Sequence, residues 1–394
     1  MNVRWLLVCV PAAMLLAHYA IDPRLVFVVS MVAVVPLVEL LSTSTERLSG
    51  RLGAAAGGMV HATLINLPEF IIGGVALVNG LAPMVKASLT GSILVTLLVG
   101  LGCALVVGGS TRGTQRFERS HLRTSGGMLM LCGFCFIVPA AFSLGQPEGG
   151  RELSREIAIV LLVVYAASLV ALLAGRQIAE ATTPDGMDAN GTRDVSRSGG
   201  PVTDIVAIAG YAAALGIVSE TLAESLGPTA EAVGLSSAFS GVVLLGGLGG
   251  VGEVLAAMRF SRAGRTDLVL SSTVGSTIQI VLLVAPLLVL LGWAIGEPMN
   301  LAFSGFEVVA IVASIVVTRS LIDDGRVTWM EGVLLLAAYA ILALGFYHLP
   351  DAVADADGRR VLMVEPLAHD LPLRDSPSMK RVETDRGTGV LVNE

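Results

Sequence analysis

Two carboxylates of this chain stand where a carboxylate is costly. Glu69 and Glu253 each lie in a long apolar stretch, and each is followed 22 positions later by a Gly-Ser pair, Gly91-Ser92 and Gly275-Ser276. Neither approach favours a straight helix. Asn66-Leu67-Pro68 precedes Glu69, and Gly249-Gly250-Val251-Gly252 precedes Glu253. A charge at the centre of a bilayer costs roughly 2.5–3.5 kcal/mol even on lenient scales, so such residues mark ion pathways. Two of them in register within an internal repeat point to a transporter whose ion site lies at the repeat interface.

Pro68 lacks an N–H and its ring opposes the carbonyl of Leu64, which predicts a kink or break beside Glu69. Carbonyls freed at membrane depth are tolerated only where they line a cavity or bind something. In the second segment Gly246, Gly247, Gly249, Gly250 and Gly252 loosen the approach to Glu253. Asn66 is three residues before Glu69 and can share its face. The downstream helices add Ser92 and Thr96 in one half, Ser276 and Gln279 in the other. The expected cation ligands are therefore Glu69, Glu253, Asn66, Ser92, Ser276 and Gln279. All offer oxygen, which suits a hard cation such as Ca²⁺ with its 6–8 oxygen ligands. Two ionised glutamates neutralise one divalent cation, and two protons neutralise the same pair. The bare, doubly charged site resists reorientation, so loading with either species is a condition for crossing.

The elements that position these residues must span a membrane. Of 394 residues 54% are hydrophobic and only 14% charged, where a soluble chain carries about 25% charged. The 45 glycines suit close helix packing in lipid. The fold class is an all-α polytopic membrane protein. Windows of roughly 20 apolar residues predict eleven helices, near 4–20, 24–43, 53–79, 82–109, 126–145, 155–175, 203–225, 232–259, 266–293, 302–321 and 329–348. The first is read as a retained helix (1–22), not a cleaved signal. Residues 23–175 and 202–349 form two exchanger halves. The polar stretch 176–201 reads as a linker and 350–394 as a tail without a folded core, in which Val361-Leu362-Met363-Val364 can form a short strand.

Arginines gather after the second, fourth and eighth helices: Arg47 and Arg51; Arg112, Arg116, Arg119 and Arg123; Arg259, Arg262 and Arg265. Positive short loops are cytoplasmic. The N-terminus and the 176–201 linker then face the cytoplasm, and eleven spans put the tail outside. Five spans separate the two glutamate-bearing helices, an odd offset that makes the repeats inverted in topology. Cys132 and Cys135 have redox spacing but sit among Leu, Met and Phe, where small buried hydrophobes are expected. Nothing supports nucleic-acid binding, an enzymatic activity or a resident cofactor. The partners are inorganic cations, protons and the lipid bilayer, and oligomeric state is not legible.

Several of these motifs resemble a known family. Gly57-Gly58, Asn66-Leu67-Pro68-Glu69, Lys86 and Gly91-Ser92 look like the first repeat of the Ca²⁺/H⁺ exchangers of the Ca²⁺:cation antiporter superfamily, the sodium/calcium exchanger membrane region. Gly275-Ser276, Gln279, Pro286, Gly292-Trp293, Pro298-Met299 and Glu331-Gly332 look like the second, and Ser219-Glu220 and Glu224 fit its beginning. The resemblance spans residues 24 to 348 and implies an eleven-helix exchanger whose two repeat glutamates bind Ca²⁺ and protons in turn by alternating access. The chain also departs from the pattern. Gly250 stands where an asparagine is usual, Val254 for a histidine, Ile65 for a glycine, Thr96 for an asparagine, Ile278 for a threonine and Thr43 for an acid. Fewer amide ligands open an alternative, Na⁺/H⁺ or Na⁺/Ca²⁺ exchange. A reading of another class is a cation-sensing membrane protein that does not transport.

Overall fold

A computed structural model describes residues 3–19, 22–52, 54–117, 119–145, 150–182, 200–323, 325–349, 353–354 and 360–361. The chain is an all-α polytopic membrane protein. Among the described residues nine helices are long and apolar enough to cross a membrane, ten if one bent pair counts as a span, and a shorter apolar helix runs Trp5–His18. We label that short helix α1. It is followed by α2 (Pro23–Arg51), α3 (Ala54–Leu64 and Leu67–Val78), α4 (Ala82–Arg112), α5 (Arg119–Gly145) and α6 (Gly150–Thr182). After the linker come α7 (Pro201–Val233), α8 (Ser240–Gly249 and Val251–Arg262), α9 (Thr266–Ile295), α10 (Gly305–Ile322) and α11 (Trp329–Tyr347).

Three helices run well past their expected C-terminal ends. α2 passes Pro36, which lies within its expected bounds, and continues to Arg51, whose guanidinium pairs with Asp204. α7 likewise passes Pro228 and stops at Gly234 in the left-handed conformation, φ 72°. α6 extends to Thr182, into the expected linker, whose residues 183–199 lie outside the described ones.

The glutamate-bearing segments fold alike. The first half breaks at Ile65–Asn66, between Ala54–Leu64 and Leu67–Val78. The second bends by 51° at Gly250. Eleven residues beyond each glutamate a glycine takes positive φ, Gly80 at 73° and Gly264 at 74°. Each ends its helix with the same pair of bonds. Gly80 and Leu81 donate to Leu77 and Ala76 (2.9 and 3.0 Å), while Gly264 and Arg265 donate to Ser261 and Phe260 (3.0 and 3.0 Å). Such a crossed pair needs a residue that tolerates the left-handed region. The tight turn returns the chain as α4 and α9. Each of these loosens into a π-helical stretch just past its Gly-Ser pair, Val95–Gly100 and Ile280–Val284.

Bonds at the helix ends fix relative direction. Arg112, closing α4, donates to the carbonyls of Ser261 and Arg262, closing α8, both at 2.8 Å. α4 and α8 thus end together, whereas α3 ends where α4 begins. At that same end Gln115–Arg116 (β1) pairs antiparallel with Arg326–Val327 (β2). α2 and α7 lie side by side, tied by an Arg51–Asp204 ion pair of 2.6 Å at one end and by Arg24 to the Ala232 carbonyl, 3.2 Å, at the other. Val34, Leu37 and Leu41 of α2 pack with Leu215, Val218 and Leu222 of α7, and a second core joins α4, α9 and their neighbours. Where the two halves cross, small residues let backbones touch. A side chain at Gly91 would strike the Val242 carbonyl, and one at Gly246 would strike Gly91.

In the tail, Val353–Ala354 (β3) pairs antiparallel with Arg360–Val361 (β4), a separate unit. The expected strand thus includes Val361, while Leu362, Met363 and Val364 lie outside the described residues.

Candidate cation site

Each carboxylate is the third residue of a half-helix that begins inside the bundle: Glu69 in Leu67–Val78, Glu253 in Val251–Arg262. The residue before each half-helix has left helical geometry, Asn66 at φ −96°, ψ 19° and Gly250 at φ −76°, ψ 0°. The first helical bonds are equivalent too, Phe70 to the Asn66 carbonyl at 3.2 Å and Val254 to the Gly250 carbonyl at 3.1 Å. Both glutamates therefore sit at the positive end of a helix dipole, among N–H groups that the helix cannot satisfy itself.

The glutamates are buried, 4% and 7% exposed. Each is a charged neighbour of the other. No hydrogen-bond donor reaches Glu69 Oε1, Glu69 Oε2 or Glu253 Oε2, and the two carboxyl groups lie close enough to share a proton between them. Glu253 Oε1 alone is engaged, 3.2 Å from Ser276 Oγ. Ser276 Oγ also lies 2.6 Å from Asn66 Oδ1, and Asn66 Nδ2 donates to Gln279 Oε1 at 2.8 Å. With one proton, the Ser276 hydroxyl donates to only one acceptor at a time. Both are satisfied together when Glu253 carries a proton of its own.

Five of the six expected ligands thus meet: Glu69, Glu253, Asn66, Ser276 and Gln279. Ser92 is adjacent but outside this bonded set, donating to the Gly246 carbonyl at 3.3 Å. Gly249 separates it from Glu69. A side chain there would run into Ser92 Oγ and stand 3.4 Å from Glu69 Cγ. The glycines before Glu253 do more than loosen a helix. Gly250 lies against Val95 and Gly252 against Val38, each too close for a Cβ without a shift. Thr96 Oγ1 is buried without a partner beside Gly250.

A narrow cavity of about 40 Å³ leads to Glu253 past Ser42, Glu46, His61, Pro68 and Ser272. Glu39 pairs with Arg259 at 3.6 Å, joining α2 to the half-helix of Glu253. Glu331 caps its helix, accepting from the Thr328 N–H. Cys132 and Cys135 are buried and free. Among the described residues no three His, Cys, Asp or Glu side chains converge. A cation held here would be coordinated by two carboxylates with amide, hydroxyl and backbone oxygens. That set fits a hard ion.

Sequence reasoning missed the placement of both glutamates in a first helical turn, the paired π-helical stretches and the part played by Val95. The equal spacing of Gly80 and Gly264 from the glutamates was a signal for the first. An apolar valine in an apolar helix gives none.

Broken helices, paired intramembrane carboxylates and an oxygen-rich centre define an ion-carrier architecture. Comparison places it: the sodium/calcium exchanger protein family matches residues 24–174 and 203–348, and the chain belongs to that family. Among similar proteins, a Ca(2+)/H(+) antiporter of Synechocystis is 35% identical over 350 residues, 83% of this chain and 92% of that protein. The Ca(2+)/H(+) antiporter ChaA of Bacillus subtilis is 33% identical over 326 residues, 82% of this chain and 92% of its own. The solved structure of native YfkE is 29% identical, with a TM-score of 0.75 over 88% of this chain and 99% of its own.

Proposed function

We propose that this chain is a secondary cation/proton antiporter that exchanges Ca²⁺ for H⁺ by alternating access. The observation that carries the reading is the pair Glu69 and Glu253, buried at the starts of two half-helices with three carboxyl oxygens unpartnered. Bare carboxylates at that depth are costly, so the site is occupied in turn by a cation or by protons. Relatives named as Ca(2+)/H(+) antiporters over most of their length support the choice of ions.

In this reading the site consists of Glu69, Glu253, Asn66, Ser92, Ser276 and Gln279, with Ca²⁺ as cargo and protons as counter-ion. Residues 23–175 and 202–349 are inverted repeats within eleven spans. The matching breaks and turns support the repeat. The shared end of α4 and α8, with α3 ending opposite, supports the inversion. Arg51, Arg112 and Arg262 close their helices in the arginine-rich stretches, which by the positive-inside rule supports a cytoplasmic N-terminus and 176–201 linker and a tail outside. The narrow cavity, passing Glu46, then gives the cytoplasm access to Glu253. Two ionised glutamates and one Ca²⁺ are neutral, as are two protonated glutamates, which makes exchange electroneutral.

Everted membrane vesicles with an imposed pH gradient test this. Ca²⁺ uptake that collapses with the gradient supports the proposal. Na⁺ uptake in its place assigns a Na⁺ exchanger, and ion binding without flux assigns a sensor.

A further inference from the structure

The repeat permits a residue-by-residue comparison of the two halves, and they are unequal in polar chemistry. Asn66 and Gly250 are equivalent, each three positions before its glutamate and each at the helix break. Ser92 and Ser276 are equivalent, each following its glycine. Four positions past Gly91 and Gly275 stand Val95 and Gln279. On one side, Asn66, Ser276 and Gln279 form a continuous hydrogen-bonded set ending on Glu253. On the other side, the equivalent places hold a glycine, a serine committed to the Gly246 carbonyl, and a valine. The valine also fills the space a side chain at position 250 would need, its Cγ1 standing 2.9 Å from a Cβ built there.

We infer that coordination of the transported cation is one-sided, and that Val95 and Gly250 are the residues that make it so. The cation lies off-centre, held by Glu253, Asn66, Ser276 and Gln279. Glu69 faces it from across the site with a carboxylate to which no side-chain amide is bonded. The inference rests on the cation-exchange reading above. Its consequence concerns selectivity. Removing an amide at position 250 and any polar group at position 95 lowers the number of available oxygens. A cation that needs 6–8 oxygens must then keep water or accept fewer ligands. The site discriminates less between Ca²⁺ and less demanding ions than a symmetric one.

The test is Ca²⁺ uptake against concentration in proteoliposomes of the full chain. Asn66→Ala, Ser276→Ala and Gln279→Ala each raise the apparent KM for Ca²⁺ by about tenfold or more, the equivalent of one good ligand, and Ser92→Ala raises it by less than about twofold. The double variant Val95→Ser/Gly250→Asn, in which loss of the valine methyls makes room for the amide, lowers the KM and widens preference for Ca²⁺ over Na⁺. Comparable losses from Ser92→Ala and Ser276→Ala overturn the inference. They do so even if the double variant fails to fold, because the alanine series only removes atoms. Absence of Ca²⁺ flux in the unmodified protein overturns the functional reading instead, so the two failures are distinct.

Discussion

Asn66 and Gly250 occupy the same backbone station in two broken helices, three residues before Glu69 and Glu253, with opposite chemistry. Asn66 bonds to Ser276 at 2.6 Å and Gln279 at 2.8 Å, while Gly250 offers nothing and lies against Val95. The side of the centre around Glu253 is therefore wired together by residues of both halves, while the side around Gly250 and Val95 is closely packed.

The break beside Glu69 depends on Pro68, which sits second in its half-helix. Proline is tolerated in a first turn, so Pro68→Ala relieves little strain there, but it supplies an N–H that lets the helix run on across the break. Exchange is expected to fall by roughly tenfold or more while thermal stability in detergent holds or rises, because the break positions the carboxylate and does not hold the fold.

Gly91 and Gly275 are equivalent in the repeat but not in their surroundings. A Cβ at Gly91 meets the Val242 carbonyl, whereas nothing lies within 4 Å of one at Gly275. Gly91→Ala should destabilise by about 1–3 kcal/mol through overpacking. Gly275→Ala should stay within about 0.5 kcal/mol. Melting of the two variants in one detergent decides it.

Asp204 is buried, its side chain 4% exposed, and paired with Arg51 at 2.6 Å. Arg51→Met leaves that carboxylate uncompensated and should cost about 1–3 kcal/mol, discounted because Arg51 itself is partly exposed. Replacing both residues by apolar ones should recover most of the loss, since a buried pair often adds little over a packed hydrophobic pair. Chemical denaturation or thermal melting reads both effects.

Protons and the cation compete for one pair of carboxylates. Lowering the pH on the cation-binding side adds protons and must raise the apparent KM for Ca²⁺. If two protons exchange per cation, log KM changes by up to about two per pH unit, since each bound proton contributes a slope of about one. An imposed membrane potential should leave the rate unchanged. A clear voltage dependence would exclude the electroneutral cycle.

Much of this centre was legible in the chain. Glu69 and Glu253 stand out because a carboxylate among leucines and valines has no cheap explanation, and their equal distance to Gly91 and Gly275 reveals the repeat. Pro68 announces a break by its chemistry. Other features carry no local mark. The bend at Gly250 was one of several glycine candidates, and only the packing of Gly249, Gly250 and Gly252 against Ser92, Val95 and Val38 separates close approach from the break. The bond from Ser92 to the Gly246 carbonyl follows from how α4 crosses α8, a long-range contact that spacing cannot encode. The end of α7 was misjudged at Pro228, a proline within a helix that continues past it.

The central claim is that Glu69 and Glu253 together carry the exchanged ions. Purified protein reconstituted in proteoliposomes, with Ca²⁺ uptake driven by a pH gradient, tests it most directly in Glu69→Gln and Glu253→Gln. Each replacement keeps shape and removes one charge. The account predicts that both variants fold as the parent does and lose gradient-driven uptake by at least about a hundredfold, the scale expected when a transport charge is deleted from a buried site. Uptake at the parent's rate in either variant would contradict it.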